Sequence, residues 1–384
     1  MKKLTAIVAL SSVFTLAICF VVIGAVSIEL KTALGIGNSE IGTLVLTLFL
    51  TACVTQLIIG PLVDKLGHKP IAIAGFIVCS LSIFLLGLAS DFRIALVAAF
   101  LLGVGAMCVN TVGNTLIPVV LFGGGDPARA SNFGNGFFGL GLIMTPLIVP
   151  AFAKYNNALF CIGAGLLIFL LFSFLASYPK VSTGFKFSMA IKLLGKKPVL
   201  IAALALTCYI SLESTMNTWI KSLMAELLEN TGNSNFLTHA GFVLSLFGVC
   251  MMLGRFLSST IKNLTKIGVG VIAAASLVSM LAIILMIVAK SYVLVIVAVI
   301  IVGFSFAPIF PIIVGVTFAR FEAKFYGSIF GIIFSIGLLG GTFVPQYVGY
   351  LAKEKTIQQS LWIAVIMAGL LFVAALIMGR LNSK

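Results

Sequence analysis

Twelve apolar runs, each about 20 residues or longer, follow one another along this 384-residue chain. They fall at approximately 4–30, 41–63, 71–89, 94–120, 131–153, 157–178, 198–223, 237–261, 268–289, 292–319, 327–351 and 359–380. A helix rises about 1.5 Å per residue, so about 20 residues cross the roughly 30 Å hydrocarbon core of a bilayer. In that medium the backbone must satisfy its own hydrogen bonds, and a helix does so within one segment. The composition, 61% hydrophobic and 9% charged with mean hydropathy +1.24, excludes an ordinary soluble domain. The expectation is an all-α membrane protein with twelve transmembrane helices.

The first run is too long for a secretion signal, lacks a small-residue cleavage site and leads straight into another span, so it reads as a retained helix. Leu16-Ala17-Ile18-Cys19 resembles a lipoprotein cleavage box, but Ile18 does not fit it. The seven cysteines (Cys19, Cys53, Cys79, Cys108, Cys161, Cys208 and Cys250) all fall inside runs without a CxxC pair. They read as small apolar packing residues. No metal cluster or nucleophile–base pair is apparent, so neither an enzyme nor a cofactor is expected.

Sorting the basic residues by loop gives the orientation. With the N-terminus inside, the inner side receives Lys2, Lys3, Lys65, Lys69, Arg129, Lys180, Lys186, Lys192, Lys196, Lys197, Arg255, Lys262, Lys266, Arg320, Lys324, Arg380 and Lys384. The outer side receives Lys31, Arg93, Lys154, Lys221, Lys290, Lys353 and Lys355, so 17 stand against 7 of the 24 Lys and Arg. This bias places both termini in the cytoplasm. It makes the net charge of +14 a matter of topology and lipid headgroups, not of nucleic-acid binding.

The longest polar break, 179–197, is basic and contains an amphipathic stretch over 185–194, expected to lie along the inner membrane surface. It divides the chain into six-helix bundles at 1–178 and 198–384. The halves echo each other: Gly141 and Pro146 recur as Gly340 and Pro345 at an offset of 199 residues.

Polar groups inside the runs are the candidates for function. Glu213 lies well inside run seven, where an ionisable group is costly unless it faces a cavity or a partner. Tyr209, Glu213 and Asn217 share one helical face at i, i+4 and i+8, with Trp219 just beyond. Such a carboxyl suits a group that gains and loses a proton during transport; the structural alternative is a Glu held by a neighbouring hydroxyl or amide. Asn110 and Asn114 in run four and Asn135 in run five are amides that would line a cavity for a polyhydroxylated solute, or else bond helices together. Thr43, Thr47, Thr51 and Thr55 form a stripe that reads as packing, with Gln56 beside its end. Pro308 and Pro311 are expected to kink run ten.

Gly60-Pro61-Leu62-Val63-Asp64-Lys65-Leu66-Gly67-His68-Lys69 resembles the G-x-L-x-D-R-x-G-R-K loop between helices two and three of the major facilitator superfamily, a family of membrane transporters; His68 stands where the pattern usually has Arg. Several segments further resemble the fucose–galactose–glucose:proton symporter group of that family. They are Cys108-Val109-Asn110-Thr111-Val112-Gly113-Asn114, Arg129 with Asn132-Phe133-Gly134-Asn135, Tyr209-Ile210-Ser211-Leu212-Glu213 with Trp219, Gly254-Arg255-Phe256, and Gly340-Gly341 with Pro345. The chain departs from that group where it matters for coupling. Run one has no acid before Glu29, Asn110 occupies the run-four acid position, Asn135 replaces a Gln and Phe138 an Asn.

The resemblance implies a secondary transporter working by alternating access in an inner membrane, as a monomer. Its first-choice solute is a sugar or similar small polar nutrient, taken up with a proton. Glu213 would couple the proton, and Asn110, Asn114, Asn135, Tyr209, Asn217 and Trp219 would bind the solute. Gly60, Asp64, Lys65, Lys69, Arg129 and Arg255 would form the inner gate, with Arg255 anchored at the surface or paired within the gate. Alternatives are a carrier of another solute, whether a drug or metabolite exporter or an organic-acid importer, and a non-transporting membrane receptor. An organic-acid site calls for an Arg or Lys deep in the spans, and none is expected there.

Overall fold

The computed structural model describes residues 2–179, 187–229 and 236–382. Among these residues lie sixteen α-helices and no strand. They are α1 (Lys2–Ala25), α2 (Ser27–Leu34), α3 (Asn38–Leu66), α4 (His68–Gly87), α5 (Phe92–Val120), α6 (Pro127–Ile148), α7 (Tyr155–Leu175) and α8 (Phe187–Leu193). Then follow α9 (Lys197–Glu229), α10 (Phe236–Ser258), α11 (Leu264–Val288), α12 (Tyr292–Phe306), α13 (Ile309–Phe318), α14 (Tyr326–Leu351), α15 (Ile357–Ser360) and α16 (Trp362–Asn382). Among the described residues twelve stretches are long and apolar enough to cross a membrane, the number counted from the sequence.

Breaks between helices follow backbone chemistry. Gly67, between α3 and α4, sits at φ 84°, ψ 172°, a region that side-chain-bearing residues avoid. This is the sharp turn of the ten-residue loop. Run ten is interrupted as expected: α12 ends at Phe306, and Pro308 is the N-cap of α13. Run one differs from expectation. Instead of one helix to residue 30, α1 ends at Ala25, and α2 starts after Val26, which lies off helical geometry at φ −108°, ψ 15°. The short α2 then closes on Gly35 in the left-handed region, whose N–H donates to Lys31 O. Asp91 caps α5 by accepting from the backbone N–H groups of Arg93 and Ile94.

Of the amphipathic stretch at 185–194, Phe185 and Lys186 lie outside the described residues, as do Lys180 and Lys384. The rest contains α8, which buries Ala190 and Leu193 one turn apart and exposes Ile191.

The helices form two compact units. Unit 1 is Met1–Gly125, Phe137–Leu193 and Phe321–Ile332; unit 2 is Asp126–Gly136, Leu194–Arg320 and Ile333–Lys384. Within unit 1, α5 packs on α1, α3 and α4, and α7 packs on α1 and α4. Unit 2 repeats that scheme: α12 and α13 pack on α9, α10 and α11, and α16 packs on α9 and α11. The first turns of α6 pack with unit 2, and the first turns of α14 pack with unit 1.

Candidate functional site

In unit 1 the ten-residue loop holds the start of α14. Asp64, in the last turn of α3, is only 8% exposed. Its Oδ1 accepts from Gly327 N at 2.8 Å and its Oδ2 from Ser328 N at 2.6 Å. These N–H groups belong to the first turn of a helix, where the backbone has no partner of its own and the dipole favours an anion. Glycine allows the approach. A Cβ on Gly60 would sit 2.4 Å from Gly327 O, and one on Gly327 would sit 2.3 Å from Gly60 O. Lys65 and Lys69 are both exposed, while the Asp64 oxygens accept from the first backbone N–H groups of α14.

Deeper in unit 1 the amides form one chain. Asn114 Nδ2 donates to Asn110 Oδ1 at 2.8 Å, Asn110 Nδ2 to Gln56 Oε1 at 3.2 Å, and Gln56 Nε2 to Thr111 Oγ1 at 3.0 Å. Thr111 Oγ1 donates in turn to Met107 O at 2.9 Å. None of these four side chains exceeds 2% exposure. The chain is made of neutral groups and joins α3 to α5. Of the threonine stripe, Thr43 and Thr47 donate back to Ser39 O and Thr43 O, as packing residues do.

Unit 2 holds the charged counterpart. Arg255 Nη2 lies 3.4 Å from Glu213 Oε1 and 3.4 Å from the Tyr209 hydroxyl, and Arg255 Nη1 donates to Asn135 O at 3.3 Å. Of the two places expected for Arg255, anchored at the surface or paired within the gate, its burial rules out the first. Arg255 is in the last turn of α10 yet 3% exposed. Tyr209 is fully buried, edge-on to Phe306 and tilted against Phe310, with ring centroids 6.0 and 6.2 Å away. The Glu213 side chain keeps 20% of its surface exposed, whereas the Arg255 side chain behind it keeps 4%. Four candidates from the sequence thus meet here: Asn135, Tyr209, Glu213 and Arg255.

The others on α9 are placed differently. Asn217 is exposed and donates to Glu213 O at 2.9 Å. Trp219 donates its indole N–H to Pro345 O at 3.0 Å, and its ring fills the space a Cβ on Gly349 would enter. Arg129 donates through Nε to Ser259 O at 2.7 Å.

Two functional candidates were not among those drawn from the sequence. Gln56 closes the amide chain, and at the repeat offset of 199 it corresponds to Arg255. The same station thus carries a neutral amide in one half and a cation in the other. Asp126 accepts from the backbone of Leu264 and Thr265. The offset could have found the first; nothing local announces the second. Among the described residues no group of three or more His, Cys, Asp or Glu could hold a metal ion.

Comparisons with solved structures place this fold. FucP, a Major Facilitator Superfamily transporter in the outward conformation, superposes with TM-score 0.80 at 17% identity, covering 97% of this chain and 99% of its own. A second structure of the E. coli fucose:proton symporter FucP gives 0.78 at 18% identity with the same coverage. The proton:xylose symporter XylE, bound to 6-bromo-6-deoxy-D-glucose, gives 0.75 at 12% identity, covering 99% of this chain and 95% of its own. No curated protein matches the sequence. The family model for the Major Facilitator Superfamily matches residues 8–345, most of the chain, and this twelve-span protein belongs to that superfamily of membrane transporters.

Proposed function

We propose that the protein carries a sugar or similar small polar solute by alternating access, with a proton moving through Glu213. The carrying observation is the Glu213–Arg255–Tyr209 cluster. A carboxylate that keeps 20% of its side-chain surface exposed is held by a buried cation behind it. Proton binding to Glu213 removes the charge that Arg255 faces, so the two protonation states differ in how firmly α9 and α10 are tied. That difference is what a coupled cycle needs. FucP and XylE are, by name, proton symporters of sugars. In the first half, run one has no acid before Glu29, and Asn110 stands at the run-four acid position of the symporter group the chain resembles.

On this proposal the bundles 1–178 and 198–384, joined by the basic linker 179–197, rock about a midplane site. The carrier works as a monomer in an inner membrane with both termini cytoplasmic. Asn110, Asn114, Asn135, Tyr209, Asn217 and Trp219 provide amide and ring contacts to the solute. Gly60, Asp64, Lys65, Lys69, Arg129 and Arg255 secure the inner side.

The test is uptake of a radiolabelled sugar panel into proteoliposomes with and without an inward proton gradient. Wild type should accumulate one sugar under the gradient, and Glu213→Gln should lose accumulation while keeping exchange. Uptake indifferent to the gradient in wild type would make Glu213 structural. A second reading is favoured by the burial of Arg255: a carboxylate-bearing solute that takes the place of the Glu213 carboxylate on the guanidinium. It predicts transport of a sugar acid and none of the neutral sugar.

A further inference from the structure

The repeat offset of 199 makes a specific demand on the second half. It maps Asp64 onto Asn263, Gly60 onto Ser259, and Gly327 and Ser328 onto Ala128 and Arg129. If the halves were alike, an acid at 263 would hold the start of α6 as Asp64 holds the start of α14. Asn263 is instead the N-cap of α11, in the left-handed region at φ 55°, and its side chain makes no cap hydrogen bond.

The acid is present, on the opposite strand of the contact. Asp126 immediately precedes α6. Its Oδ2 accepts from Leu264 N at 2.9 Å, and its Oδ1 accepts from Thr265 N at 3.0 Å and from Thr265 Oγ1 at 2.6 Å. Thr265 Oγ1 also accepts from Ala128 N at 3.0 Å, the residue that corresponds to Gly327. Arg129 Nε reaches Ser259 O at 2.7 Å, where the first half has the glycine contact of Gly60. The first contact runs from the end of α3 to the start of α14. The second runs from the start of α6 to the start of α11, with acid and helix start exchanged.

We propose that Asp126 is a positioning residue for the transport cycle: it carries a second acid-to-helix-start latch, of reversed polarity, that secures the basic-loop side together with the Asp64 latch. Each latch ties a segment of one sequence half to a helix of the other. Both use a carboxylate against backbone N–H groups that have no partner within their own helix. The second half therefore needs no acid at 263.

Labelling of one reporter thiol tests this. In a background without the native cysteines, Ser328→Cys places a thiol at the first latch, where the side chain is fully buried. Inside-out vesicles are treated with a membrane-impermeant maleimide. Asp126→Asn, which keeps one acceptor oxygen and loses the charge, should raise the labelling rate about tenfold, the scale of losing a charged hydrogen-bond acceptor. Adding Asn263→Asp should return the rate toward that of the parent, because it restores an acid in the polarity of the first latch. An unchanged rate at Ser328→Cys, with labelling raised only at a thiol from Ser131→Cys on α6, would reduce Asp126 to a local cap and overturn the proposal. So would a raised rate that Asn263→Asp leaves untouched. If Asp126→Asn does not assemble, Thr265→Val removes both hydroxyl bonds, to Asp126 Oδ1 and from Ala128 N, and keeps the backbone bonds to the acid; a smaller rise in the same direction supports the latch and an unchanged rate overturns it. The test uses no solute, so its failure is separate from failure of the sugar or proton assignment.

Discussion

Arg255→Ala should be among the most damaging single substitutions in this protein, at about 3–5 kcal/mol of stability, because it removes one partner of a buried ion pair and strands the other. The Glu213 side chain, 20% exposed, would lose the cation 3.4 Å away. Tyr209 OH and Asn135 O would lose a donor inside the same apolar surroundings. Thermal unfolding followed with a thiol-reactive fluorophore reads the effect directly, since Cys19, Cys79, Cys108, Cys208 and Cys250 are buried until the helices part. The double substitution Glu213→Leu with Arg255→Met should recover most of the loss, as replacing a whole buried pair by apolar groups is often neutral or better. A double variant as unstable as the sum of the singles would mean that the two side chains do not interact. The recovered double variant should still fail to accumulate solute, which separates the pair's functional role from its effect on stability.

Gly60→Ala should open the contact that holds the start of α14. Its new methyl would lie 2.4 Å from Gly327 O and 3.0 Å from Gly331 Cα, and neither atom can rotate away. The helices must separate, stretching the hydrogen bonds from Gly327 N and Ser328 N to Asp64. Overpacking costs about 1–3 kcal/mol, and weakening bonds to a charged acceptor adds about 1.5–3 kcal/mol. Gly42→Ala in the same helix is the control: nothing lies within 4 Å of its would-be Cβ. Helix propensity there favours alanine by about 0.5–1 kcal/mol. Melting temperatures of the two variants should therefore move in opposite directions. Equal shifts would show that the close approach at Gly60 costs nothing and would sink this account.

Much of the architecture was legible along the chain. Hydropathy is a sum over neighbours in sequence, and a bilayer demands about 20 apolar residues per helix, so twelve spans could be counted without knowing any contact. Gly67 and Pro308 were legible for the same local reason, since each restricts or frees its own backbone. The ten-residue loop around Asp64 was enough to suggest the superfamily that the family model confirms.

What lay outside local reading were the partnerships. Arg255 looked like one more base at a helix end, and its burial depends on Glu213 and Tyr209 arriving from α9, 42 and 46 residues away in sequence. Gln56 looked like the end of a threonine stripe and turned out to join Asn110 and Thr111. Asp126 makes its bonds to Leu264 and Thr265, 138 and 139 residues away in sequence. The amphipathic face of a helix says that a side chain points inward, but not which group meets it there.

The sequence by itself determined the number of spans, the breaks at Gly67 and Pro308 and the superfamily, because these follow from local hydropathy, backbone constraint and a short motif. Tertiary structure alone decided that α6 begins in unit 2 and α14 in unit 1, that the acids Asp64 and Asp126 spend themselves on helix starts, and that a cation stands behind Glu213. The physical reason is distance. Hydrogen bonds and ion pairs act over about 3–4 Å, and which groups come that close is set by glycine-permitted approach between helices far apart in sequence.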